Sequence, residues 1–223
     1  MKNLSRSKTS SPGISRINCP DYSRLNPDIR SIRNSDTDIY LARCGILYLE
    51  SLPTDANGES FNYVKHELTR IFNTRNEDGN SLGIEESPIV IYINSLGGPV
   101  NDAIALYDQI MYLRKYYGLY LHTIAQGFAM SGGALILQAG TKRYATSNSI
   151  LMIHGVQAEY GGGTLKEAEI DLEANKKMNA NLIKIWSKKM GIKHKDLELE
   201  LAGNDKYFNA QEALKCGLID EVI

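Results

Sequence analysis

The chain has 223 residues, 43% of them hydrophobic and 23% charged, enough for one domain with a sizeable core. Its 25 basic and 26 acidic residues leave a formal charge of −1, so a nucleic-acid or anionic-membrane surface is not expected, and no apolar run approaches the roughly 20 residues of a membrane span. Three scattered cysteines, Cys19, Cys44 and Cys216, argue against a disulfide framework or a zinc site and point to a reducing compartment such as the cytoplasm.

Residues 1 to about 35 are rich in Ser, Arg, Asn and Pro, show no hydrophobic period and read as a polar, flexible tail; the domain is expected over 36–223. Its first strand is Ile46 to Leu49. Phe61, Val64, Leu68 and Ile71 recur at helical spacing and mark an amphipathic helix, and the polar stretch from Asn73 to Ser87 reads as an inserted loop. Ile89-Val90-Ile91-Tyr92-Ile93 is a continuous β-branched run, the pattern of a parallel strand covered on both faces. It leads through Asn94-Ser95-Leu96-Gly97-Gly98-Pro99 into a helix whose buried face is expected at Ile104, Tyr107, Ile110 and Met111. A strand over 119–125 follows, then the turn Gly127-Phe128-Ala129-Met130-Ser131-Gly132-Gly133, then an apolar helix closing at Gly140.

Ile150 to Ile153 is a further strand, ended by His154. Thr164 and Glu167 form a capping box for a long helix over 164–190 that stops at Gly191, with an apolar stripe at Met178, Leu182 and Ile185. Asn209 and Glu212 cap a last short helix ending at Gly217, and 218–223 reads as a closing strand. Alternation of strands and helices predicts an α/β fold with a parallel sheet, in which ligands sit beyond the carboxyl ends of the strands. Both glycine-bearing turns fall at that end.

Ser131 stands where a buried strand turns into a helix, a place that presents a hydroxyl next to backbone N–H groups able to hold negative charge on an acyl oxygen. A serine needs a base, and the base needs an orienting group. Of the four histidines, His66 and His194 lie in polar, solvated contexts and His122 within a strand as a packed residue, whereas His154 ends a strand at the same sheet edge as Ser131. Asp171, Asp196, Asp205 and Asp220 are the downstream candidates for the orienting carboxylate, and spacing does not choose among them. The chain order Ser, acid, His would require Asp171 and His194, both in solvent-exposed contexts, so the order Ser, His, Asp is the better supported. An extended substrate could add as a strand along Gly98 and the 161–163 glycines.

Tyr92-Ile93-Asn94-Ser95-Leu96-Gly97-Gly98, Ile104-Ala105-Leu106-Tyr107-Asp108, the serine turn with Ala139-Gly140, Lys142-Arg143-Tyr144, Leu151-Met152-Ile153-His154, Asp205-Lys206-Tyr207-Phe208-Asn209-Ala210 and Gly217-Leu218-Ile219-Asp220 occur in this order. Together they resemble the proteolytic subunit family of the ATP-dependent Clp protease (ClpP), over roughly residues 38–223. The resemblance implies a ClpP/crotonase-type α/β fold of repeated β-β-α units with the 164–190 helix projecting as a handle. It implies Ser131 as nucleophile, His154 as general base and Asp205 as its orienter, with the backbone N–H groups of Gly98 and Gly132 as oxyanion hole, and no metal or cofactor held by this chain. It further implies a serine endopeptidase acting on polypeptides inside stacked heptameric rings, beside an AAA+ unfoldase that uses ATP. The family usually has Pro at the position of Leu96 and Ala-Ser-Met where this chain has Met130-Ser131-Gly132. The alternatives are a non-catalytic ring subunit, a CoA-dependent crotonase-type enzyme, or a viral prohead peptidase sharing the same chemistry.

Overall fold

Strand β2 (Ile89–Ser95) lies between β1 (Ile46–Glu50) and β3 (Leu121–Met130), parallel to both, at the heart of the sheet. Its side chains at 89, 90, 91 and 93 are buried, as the β-branched run requires of a strand covered on both faces. The structure is a computed structural model that describes residues 41–42, 44–50, 58–78, 83–85, 87–157 and 163–223. The expected tail over 1–35 lies outside the described residues.

Strand β3 holds the sheet together. Its first half pairs with β4 (Lys142–Ala145), and its second half, from Phe128, pairs with β5 (Ile150–Ile153), all parallel. The change of partner coincides with an irregularity against β2, where Ile93 faces Ala125 but Ser95 faces Ala129. Gly127 sits in this bulge at φ 101°, a conformation open to glycine, and Asn94 bridges it by accepting from the Phe128 N–H at 3.1 Å. Because the bulge keeps the chain extended, β3 continues to Met130; the turn foreseen over 127–133 shrinks to Ser131 itself. Strand β4 continues to β7 (Glu221–Val222), and β5 carries the antiparallel β6 (Lys206–Asn209).

Helix α1 (Glu59–Asp78) buries Phe61, Val64, Leu68 and Ile71, the face set by the sequence period. It runs to Asp78, so the first six residues of the expected 73–87 loop are helical. Helix α2 (Val100–Tyr117) turns Ala103, Leu106, Tyr107, Ile110 and Leu113 inward. Ile104 and Met111 only flank this face, because α2 is covered by α1 and by α3 (Gly132–Leu137), and the contact line follows 103, 106, 110 and 113. Helix α4 (Leu165–Met190) has the expected capping box and left-handed Gly191 stop. Its buried stripe is Leu182, Ile183 and Trp186 rather than Met178, Leu182 and Ile185, while Leu165, Ile170 and Leu172 near its start are exposed. Helix α5 (His194–Glu200), which the charge-rich sequence concealed, follows, and α6 (Ala210–Lys215) is capped by Asn209 and Glu212 as expected.

The junction of β3 and α3 depends on one buried hydroxyl. Thr123 Oγ, with no exposed surface, donates to the Leu137 carbonyl at 2.8 Å, where α3 runs out of its own donors. Thr123→Val keeps the shape and leaves that carbonyl with only the long bond from the Gly140 N–H at 3.4 Å, so chemical denaturation should show a loss of about 1 kcal/mol.

Candidate active site

Three parallel strands deliver their carboxyl ends to one place. Gly97 and Gly98 follow β2, Ser131 follows β3, and His154 follows β5. Met130 pairs with Met152, which sets Ser131 and His154 on adjoining strands just past the last rung. In the antiparallel pair, Ile153 faces Lys206, so the next rung would set His154 opposite Asp205. A cavity of about 510 Å³ opens here and is lined by Gly98, Ser131, Gly132, His154 and Asp205 together. Leu135, Met152, Val156, Leu182 and Trp186 give it an apolar wall.

Ser131 has φ 51° and ψ −119°, and it alone among the described non-glycine residues has a positive φ. Such a conformation costs on the order of 1–3 kcal/mol and persists only when its surroundings impose it. They do so here: the Ser131 N–H donates to the Met152 carbonyl at 2.9 Å, and the Ser131 carbonyl accepts from Leu135 N–H at 3.0 Å. The residue is thus tied to β5 on one side and committed to α3 on the other, with its side chain left at the cavity.

Gly97 lies directly against it. A β-carbon on Gly97 would stand 2.6 Å from Ser131 Cβ and 3.0 Å from its Oγ. Beneath the glycines lies Phe61, 2.8 Å from where a Gly98 β-carbon would be and 2.9 Å from where a Gly132 one would be. Neither the Gly98 nor the Gly132 N–H has an acceptor among the described residues. Gly97 was foreseen only as part of a glycine turn at this end of the sheet, without a role of its own, and Phe61 was not foreseen as part of the site. The paired glycines were the available signal for the first; for Phe61 the sequence offered only its helical spacing.

His154 is half-buried, and its Nδ1 is hydrogen-bonded to the carbonyl of Gly155. A carbonyl only accepts, so Nδ1 carries the proton and Nε2 is left as the basic nitrogen. Among the described residues no hydrogen bond links Ser131 to His154 or His154 to Asp205; the three side chains share the cavity without being joined. Asp205 is exposed at its rim.

The other candidates lie elsewhere. His122 is half-buried between Tyr120 and Tyr144, and burial, then the Lys142 charge, push its imidazole below the ordinary value. His194 lies near Glu198 and the Ala180 carbonyl, and His66 and Asp171 are exposed on helices. Asp196 sits in the first turn of α5, and Asp220 is committed to Arg143. Of the 161–163 glycines, 161 and 162 lie outside the described residues. Among the described residues no helix is long and apolar enough to cross a membrane.

The chain is similar in sequence to known proteins. The chain is 38% identical over 137 residues to a protein of Frankia casuarinae named ATP-dependent Clp protease proteolytic subunit 2, covering 60% of each chain. It is 36% identical over 140 residues to the ATP-dependent Clp protease proteolytic subunit of Deinococcus radiodurans, covering 62% of this chain and 66% of that one. The match thus spans somewhat less than two thirds of these curated relatives' length. The sequence model described as Clp protease matches residues 82–223, a stretch that contains β2 to β7 and every residue of the cavity named above. With well over half of the chain matched, and the glycine turn, serine junction and strand-ending histidine inside the match, this protein belongs to the Clp protease family.

Proposed function

We propose that the chain is a serine endopeptidase, the proteolytic subunit of a Clp-type assembly. The observation that carries this reading is the convergence of Ser131, His154, Asp205, Gly98 and Gly132 on one cavity. In the proposed reaction His154 Nε2 takes the Ser131 proton as Oγ attacks a peptide carbonyl carbon. The carbonyl oxygen becomes an oxyanion between the N–H groups of Gly98 and Gly132, which have no acceptor among the described residues to give up. His154 then hands its proton to the leaving amine, the acyl-enzyme forms, and water activated by the same nitrogen releases the acid and regenerates the serine. Asp205, at the rim of the same cavity, offsets the positive charge of the imidazolium while its Nδ1–H stays on the Gly155 carbonyl. The apolar wall suits a hydrocarbon side chain beside the scissile bond.

Exposed Leu165, Ile170 and Leu172 on α4 support self-association, as in stacked heptameric rings joined through this handle helix. A family of ATP-dependent proteases further supports an AAA+ unfoldase as the partner that uses ATP, with this chain itself holding no cofactor or metal, in a reducing, cytoplasmic setting. The test is a fluorophosphonate probe with the labelled peptide located by mass spectrometry, together with native mass measurement. A single label on Ser131, abolished in Ser131→Ala, is expected. A label elsewhere, or one that persists in that variant, overturns the assignment, and an intact ring that takes no label and cleaves no peptide is a non-catalytic subunit.

A further inference from the structure

The segment after the histidine is held by a residue that neither the sequence reading nor the triad includes. Asn179 lies on α4, three residues before Leu182 and seven before Trp186, so it continues along the helix face that lines the cavity. Its side-chain oxygen accepts the Val156 N–H at 2.9 Å. Because the partner is a backbone donor, the atom facing it must be the carbonyl oxygen of the amide. Gly155 fits closely beneath: a β-carbon there would stand 3.0 Å from Asn179 Oδ1.

Val156 N–H and Gly155 C=O belong to the same peptide unit. That unit is trans, so its N–H and C=O point in opposite directions. One end is held by Asn179 and the other accepts the His154 Nδ1–H. The three groups form a chain of hydrogen bonds, His154 to the peptide to Asn179, in which each bond polarises the next. The geometry points to Asn179 as a positioning residue for the general base: by fixing the Gly155–Val156 peptide plane it aims the carbonyl at His154 Nδ1 and holds the tautomer that leaves Nε2 basic. The structural part of this stands alone, and its kinetic part rests on the serine-peptidase reading.

Two variants separate the hydrogen bond from simple packing. Asn179→Leu keeps the approximate size and removes the acceptor, whereas Asn179→Asp keeps an acceptor in the same place. In the full-chain assembly, nitrogen-15 NMR of histidine, with the His154 signal assigned by its loss in His154→Gln, reads the tautomer without reference to activity. Nδ1–H should dominate in the wild type and in Asn179→Asp, and should give way to a mixture in Asn179→Leu. In fluorogenic-peptide hydrolysis, Asn179→Leu should lower kcat roughly 10- to 100-fold, the scale of a misplaced catalytic group, with KM within about twofold. Asn179→Asp should recover kcat to within about threefold of wild type. An unchanged tautomer in Asn179→Leu overturns the inference, as does equal loss in both variants or a rise in KM at constant kcat. A wild type that shows the Nδ1–H tautomer yet neither hydrolyses peptide nor takes the serine label sinks the peptidase reading and leaves the tautomer comparison to decide the role of Asn179.

Discussion

Gly97→Ala is expected to lower kcat/KM for peptide hydrolysis at least about 100-fold, approaching the loss in Ser131→Ala. Gly97 has φ 107°, which an L side chain rarely adopts, so alanine is strained at the backbone before any contact is made. Its β-carbon would then fall 2.6 Å from Ser131 Cβ and 3.2 Å from the Gly132 nitrogen. The serine cannot retreat easily, because its N–H is bound to Met152 and its own backbone already lies in a sparsely populated region. Either Ser131 or the glycine strand must move, and a shift near 1 Å at reacting atoms costs on the order of 100-fold. Gly118→Ala is the control: its φ is 68°, but the new β-carbon meets nothing within 4 Å, so activity should be kept while stability falls by about 1 kcal/mol or more from the backbone strain alone. A Gly97→Ala enzyme within tenfold of wild type would show that this contact does not constrain the nucleophile.

Arg143→Met should be the most damaging change far from the cavity, lowering unfolding free energy by about 2–4 kcal/mol. Arg143 is buried, and its guanidinium donates to both Asp220 carboxylate oxygens, to Gln138 Oε1 at 2.9 Å and to the Gly217 carbonyl at 2.7 Å. It ties β4, the end of α3 and the turn before β7 into one knot. Methionine fills the space but leaves a fully buried glutamine oxygen and a backbone carbonyl without this donor. The pH dependence has a definite sign. Burial opposes the charge on Asp220, but the hydrogen bonds and charge of Arg143 outweigh it and hold the carboxyl below its ordinary value. The unfolded chain therefore binds more protons here as pH drops below about 4, and the contribution is lost as pH falls through the folded value. Urea melts between pH 3 and 6 should show a steeper acid loss for wild type than for Arg143→Met; parallel slopes would remove Asp220 from the account.

Much of this architecture was open to sequence reasoning because each element is set by nearby residues. The β-branched run at 89–93 is covered on both faces, the period at 61, 64, 68 and 71 faces the core, and the boxes at Thr164 and Asn209 start their helices. Ser131 and His154 were legible for a similar reason, since each ends an apolar strand at the same edge of the sheet. Where packing chose among comparable faces, periodicity failed. Helix α2 is covered by two neighbours, so its contact line runs through Ala103 and Leu106 rather than Ile104 and Met111, and α4 buries Trp186 in place of Met178.

The amino-acid order by itself determined that the chain would build a parallel α/β sheet with a serine and a histidine at its carboxyl edge, because burial periods and caps are local properties. Only the tertiary structure decided which strands adjoin: β3 changes partner at its bulge, which sets Ser131 beside β5, and the antiparallel return of β6 carries Asp205 to the His154 end. It alone placed Gly97 against Ser131, and Asn179 on the peptide that holds the imidazole. These pairings join residues far apart in the chain, and their register is set by the bulge and the packing of the whole sheet.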